Sequence, residues 1–219
     1  MDLSRELWQA NQDLAKACLH SPFVQGLARG TLPHHKFAYY VGQDAFFLET
    51  FARAYTVAAA KSPNWYGFET FHTLAHGALQ ELRLHQQYAD RWRINLTEVQ
   101  PGLATRRYVE FLMNTAWEES VGMTAIAMAP CMRLYAFLGQ TLAKHDLPKH
   151  DYLEWIETYS DETFESLAQT LEDLVDRYAP EDPKLYSVYR YAMLCERDFF
   201  QMAWEWGDMD EQPGYALLS

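Results

Sequence analysis

The stretch AIAMAPCMRLYAFLG, residues 125–139, sets a thiol and a phenol inside an otherwise apolar run. Cys131 and Tyr135 lie four residues apart, which stacks them on one face of a helix. Cys131 directly follows Pro130. A proline inside a helix removes one backbone donor and crowds the carbonyl four residues back. A bend there would aim the sulfur where a regular helix would not. Thiols attack as thiolates, and a tyrosine donor one turn away would stabilise that anion. Cys18 and Cys195 have no such setting and read as apolar packing.

Two acids share the same kind of surroundings. In YYVGQDAFFLETF, Phe47, Leu48 and Phe51 follow Asp44 by three, four and seven residues, so Asp44 faces inward with them. In YAMLCERDFFQMAW, Glu196 shares its face with Phe199, Phe200 and Ala203. Burying a carboxyl is costly unless it is partnered. Two such acids in different surroundings can divide acid and base roles between them. Tyr108 and Tyr159 also fall on apolar helix stripes; each reads either as a core aromatic with its hydroxyl near the surface or as a site group. The rival chemistry is metal. Glu81 and His85 sit at i and i+4, but a di-iron bundle needs Glu-x-x-His on two helices and further glutamates. No second pair is found: His72 and His76 lack matched partners, His34 and His35 sit at a helix start, and His145 and His150 fall near a loop.

The elements that must position these groups are helical throughout. Leu3, Leu7, Leu14 and Cys18 recur at helical steps in the first segment. Ser21-Pro22, Gly30, Pro33, Ser62-Pro63, Pro101 and Gly207 punctuate the chain. The expected helices cover about 3–19, 33–61, 65–92, 102–117, 118–145, 148–179 and 183–207, with a short apolar turn ending at Gly30 as a C-cap. No useful strand alternation appears. The pattern predicts an all-α, single-domain bundle of seven to eight helices over 1–219, with 208–219 as a C-terminal tail.

Bulk properties narrow the function. The chain has 219 residues, 49% of them hydrophobic, enough to bury one sizeable core. Its net charge of −12 opposes phosphate contact, so no nucleic-acid partner is expected. No run approaches 18 consecutive apolar residues, and the polar start MDLSRELWQANQDL lacks a secretory pattern, so neither a membrane nor export is expected. Three scattered cysteines suit a reducing cytoplasm.

In order, QD with an aromatic and leucine, PC…Y, a tyrosine after WI, and E..FF..A resemble the TenA/thiaminase II family along nearly the whole chain. The resemblance implies a haem-oxygenase-like all-α fold, no cofactor or metal, and a homo-oligomer, dimer or tetramer. It implies an aminopyrimidine aminohydrolase acting on 4-amino-5-aminomethyl-2-methylpyrimidine, and on thiamin, in thiamin salvage. Carried over by motif, Cys131 is the nucleophile and Glu196 the acid/base. Asp44 contacts the pyrimidine, and Phe47, Tyr108, Tyr135, Tyr159 and Phe199 line its pocket. The thiol at 131 places the chain with the cysteine-containing branch. Phe47 departs from a more usual tyrosine and Phe200 from a tryptophan, which bears on substrate preference rather than on reaction type. Two other readings compete: a non-catalytic binding or regulatory protein of the same fold, and a haem- or di-iron-dependent oxygenase built on it. A thiol at 131 that an aminopyrimidine protects from labelling separates the enzyme from the binder, and a metal-free, colourless protein removes the oxygenase.

Overall fold

The computed structural model describes residues 2–92, 94, 99–144 and 149–207, with the side chains of 84–88 and 90–92 outside that description. The His85 side chain, His145 and the tail 208–219 therefore lie outside that description. Ten α-helices are present there: α1 (Leu3–Ala10), α2 (Gln12–Leu19), α3 (Pro22–Arg29), α4 (His34–Lys61), α5 (Trp65–Trp92), α6 (Leu103–Glu118), α7 (Val121–Ala143), α8 (Leu153–Ser160), α9 (Glu162–Tyr178) and α10 (Lys184–Glu205). The all-α class agrees with the periodicity, while the count exceeds the seven to eight expected.

The extra helices come from breaks that hydrophobic spacing does not register. Asn11 interrupts the first segment, and its side-chain Nδ2 donates to the Leu7 carbonyl at 2.8 Å, terminating α1 locally. Asp161 is extended and its carboxylate accepts from the Thr163 amide at 2.7 Å, so it ends α8 and caps α9. The apolar turn before Gly30 is a full helix, started by the Ser21 hydroxyl and stopped by Gly30 at φ 70°. Ser120 caps α7 at Met123, which moves that helix start three residues past Glu118.

Helix α7 runs on unbroken through Pro130 and forms the centre of the bundle. It is long and apolar enough to cross a membrane by length and composition, but 83% of its most apolar window is buried against other helices. It packs chiefly on α9, α8 and α10, while α4 packs on α5 and α6. Arg133, two residues past Cys131, locks α7 to α9. Its guanidinium spans both Glu172 oxygens at 2.7 Å and both Glu165 oxygens at 2.9 Å. Such a part-buried, bidentate network fixes helix rotation as well as spacing. On the opposite side Gln43 is fully buried and holds the start of α6. It donates to the Gln100 carbonyl at 3.0 Å and accepts from the Gly102 amide at 2.8 Å and the Thr105 hydroxyl at 2.6 Å.

Gly139 allows the closest approach in the site region. A Cβ there would lie 2.3 Å from the Tyr159 carbonyl carbon and 2.6 Å from the Ser160 nitrogen. Both are backbone atoms at the end of α8, so neither can step aside cheaply. Gly77 on α5 has nothing within 4 Å of such an atom. Gly139→Ala is expected to destabilise the fold by about 1–3 kcal/mol. Gly77→Ala is expected to stabilise by about 0.5–1 kcal/mol through helix propensity. Thermal unfolding of the two variants checks the contrast.

Candidate active site

Five helices deliver the predicted residues to one region. Helix α4 carries Asp44 and Phe47, α6 Tyr108, α7 Cys131 and Tyr135, α8 Tyr159, and α10 Glu196 and Phe199. Asp44, Phe47, Cys131, Tyr135 and Tyr159 line a cavity of about 300 Å³, including its mouth. Tyr108, Glu196 and Phe199 stand behind its wall, at 1%, 2% and 3% exposure. The Tyr108 hydroxyl is not near the surface; it donates to Glu196 Oε1 at 2.7 Å. Rings crowd the wall: Phe47 lies 4.9 Å from Tyr108 and 6.4 Å from Phe199, and Tyr135 lies 4.8 Å from Tyr159.

Glu196 is the electrostatic centre. Burial pushes its carboxyl up to about 8. Hydrogen bonds from Tyr108 and from the Cys131 thiol pull it back, and nearby Asp44 pushes it up again. A carboxyl in that range is a base of suitable strength near neutral pH. The Cys131 thiol is raised well above its usual value by burial first, then by the negative fields of Glu196, Asp44 and Glu81. Cys131 is nonetheless only half-buried, because its side chain opens on the cavity. The resting pair is therefore a neutral thiol that donates to a carboxyl, not a preformed thiolate.

That corrects one expectation. Tyr135 is engaged elsewhere: its hydroxyl accepts from Tyr40 at 3.1 Å, and Tyr40 accepts from Trp155 Nε1 at 3.2 Å. The group bonded to the sulfur is Glu196. Burial also holds Tyr40, Tyr108, Tyr135 and Tyr159 well above the usual phenol value, so all four are neutral hydroxyls at ordinary pH. Cys18 and Cys195 are buried, with burial raising both thiols and Cys195 to about 12.

Residues that sequence reasoning missed include Tyr40, Gln43 and Glu81. Glu81 lines the cavity and accepts from the Tyr159 hydroxyl at 3.3 Å. Its spacing to His85 had suggested half of a metal pair; the His85 side chain is outside the described residues. Among the described residues no group of three or more His, Cys, Asp or Glu could hold a metal ion. Tyr40 was legible as the residue one helical turn before Asp44, and Gln43 as a polar residue set beside a buried acid.

The family model described as TENA/THI-4/PQQC matches residues 8–206. This chain belongs to the TENA/THI-4/PQQC family. It is 31% identical over 208 residues to a thiamine biosynthesis multifunctional protein of Corynebacterium efficiens, covering 91% of this chain but 28% of that longer one. It is 30% identical over 217 residues to an aminopyrimidine aminohydrolase of Halalkalibacterium halodurans, covering 93% of this chain and 96% of that one. A solved structure of a TenA homologue from P. horikoshii superposes with a TM-score of 0.85 at 24% identity, covering 92% of this chain and 97% of that one. The fold is thus the haem-oxygenase-like bundle that the motifs implied.

The raised carboxyl has a consequence for stability. Relative to an unfolded value of 4.5, a folded value of about 8 means the native state holds its proton longer. Native stability therefore falls as pH rises from about 4.5 to about 8 and levels off above. Glu196→Gln removes that dependence. Urea unfolding from pH 5 to pH 8 is expected to show the variant gaining on the parent protein as pH rises.

Proposed function

We propose that this chain is an aminopyrimidine aminohydrolase of the thiaminase II type, working in thiamin salvage on 4-amino-5-aminomethyl-2-methylpyrimidine or thiamin. One observation carries the reading: a thiol that opens on an aromatic-walled cavity is bonded to a carboxyl raised to about 8. The motif order and the near full-length match to an aminopyrimidine aminohydrolase support it.

The planar ring would lie between Phe47 and the tyrosines, each good aromatic contact contributing about 0.5–1.5 kcal/mol. Asp44 would take the ring and exocyclic N–H groups. Glu196 accepts the Cys131 proton as the sulfur adds to the ring carbon beside the methylene-bearing one, and the ring's electron pair moves onto its amidine nitrogens. That pair then expels the amine, protonated by Glu196. Water adds to the exposed methylene, the S–C bond breaks, and the thiol regains its proton. This is nucleophilic catalysis with one acid/base partner, and no cofactor enters it. Tyr108 acts by fixing the Glu196 carboxyl rather than by touching substrate.

The same reading places the protein in the cytoplasm as a homo-oligomer, dimer or tetramer, with a small aminopyrimidine as its partner. Three free cysteines support the compartment. Exposed Trp65 at 69% and Trp117 at 63% support assembly, since large apolar surface on a lone chain is uncommon.

Product release from a panel of aminopyrimidines and thiamin tests the activity. Cys131→Ser is expected to keep the fold and lose about three orders of magnitude or more in kcat. For the parent protein kcat/KM should rise with pH to a limb near 8, set by the coupled Cys131–Glu196 pair. Tyr108→Phe deletes a bond that lowers that value, so its limb should move higher. A limb unchanged in Tyr108→Phe contradicts the assignment.

A further inference from the structure

Hydrolysis by this route leaves one step without a base. Once the sulfur has added and the amine has left, the ring carries an exocyclic methylene that water must attack. Water attacks slowly unless a positioned group takes its proton. Glu196 stands behind the cavity wall at 2% exposure, bonded to Tyr108 and to the Cys131 thiol. The described cavity lining holds two acids, Asp44 and Glu81. Asp44 is assigned to the ring and exocyclic N–H groups, which leaves Glu81.

The setting of Glu81 suits that task. Helix α5 brings it, half-buried, to the same lining as Cys131 and Phe47. Its negative field reaches the Cys131 sulfur. The Tyr159 hydroxyl donates to Glu81 Oε1 at 3.3 Å, and burial keeps that phenol neutral, so it remains a donor that orients the carboxylate. A carboxylate offers about four lone-pair sites, so it accepts from a water alongside Tyr159. A second cavity of about 460 Å³, including its mouth, shares Glu81 and Tyr159 with the first, and exposed Asp151 and Thr158 belong to its lining. Solvent therefore has a way to Glu81 other than the space a bound pyrimidine fills.

Resting on the hydrolase reading above, we propose that Glu81 is a second catalytic base, which deprotonates the water that attacks the methylene. One O–H proton passes to a Glu81 oxygen as the C–O bond forms, and the electron pair of the exocyclic double bond moves into the ring. That pair then breaks the S–C bond and the ring becomes aromatic again. The proton on Glu81 returns, directly or through solvent, to the departing sulfur, so none is gained or lost. Glu196 thus serves amine release and Glu81 alcohol formation.

A rapid-quench assay that follows ammonia and the hydroxymethyl pyrimidine separately tests this division. Glu81→Gln, a near-isosteric change at a half-buried position, is expected to release about one equivalent of ammonia per site at the parent rate, then to turn over at least about 100-fold more slowly. Intact mass of the quenched protein should show the pyrimidine adduct on Cys131. Glu81→Ala should give the same burst, and azide, which attacks without losing a proton, should divert the adduct to the 5-azidomethyl pyrimidine. Tyr159→Phe keeps Glu81 but removes its orienting donor, so it should show a burst followed by about tenfold slower turnover. Ammonia and alcohol slowed in step in these variants, as a merely structural role requires, or alcohol formed at the parent rate, overturns the assignment of Glu81. A parent protein that releases no ammonia overturns the hydrolase reading itself.

Discussion

A carboxyl enclosed among rings, with a thiol on one side and a phenol on the other, sets the terms for this structure. Water would ordinarily solvate the Glu196 anion; here Tyr108 and Cys131 replace it with two donors and little else. The exchange is incomplete, so burial wins and the proton is held to about pH 8. An acid that strongly perturbed is unfavourable for folding at neutral pH. It is tolerated because the surrounding bundle supplies ample apolar burial, and because the same imbalance makes the carboxyl a competent base for a thiol raised in turn by burial.

Holding that arrangement requires precision from helices that are distant in sequence. Each of the three groups comes from a different helix, α6, α7 or α10. The fastening lies around them. Arg133 clamps α7 to α9 a half-turn from the sulfur, Gln43 ties α4 to the start of α6 a turn before Tyr108, and Gly139 lets α7 touch the α8 backbone at Tyr159. The Trp155–Tyr40–Tyr135 chain of hydroxyls and indole stiffens the cavity's far wall. The site is thus held by a shell of polar and close-packed contacts around the Cys131 sulfur.

Much of this was readable in the amino-acid order because buried polar groups are conspicuous on apolar stripes. Asp44, Cys131 and Glu196 were recognisable by that conflict alone, and the all-α class by the helical period. The motif resemblance then supplied Phe47 and Phe199 as pocket residues, whose side chains carry no such conflict. Helix ends were less legible: Asn11 and Asp161 break helices through side-chain hydrogen bonds to backbone, which leave the apolar period undisturbed. The partner of the Cys131 sulfur was misjudged because proximity along one helix favoured Tyr135, whereas the thiol donates its hydrogen bond to Glu196 on α10. Glu81 escaped because its meaning depends on Tyr159, 78 residues away. Long-range pairings of that kind are decided by tertiary packing.

The protonation of Glu196 is directly observable. With glutamate labelled at the side-chain carboxyl carbon, a 13C NMR pH titration that assigns the signal by its loss in Glu196→Gln should place the Glu196 midpoint near 8. A midpoint between about 4 and 5, the range of an ordinary glutamate, would contradict the account.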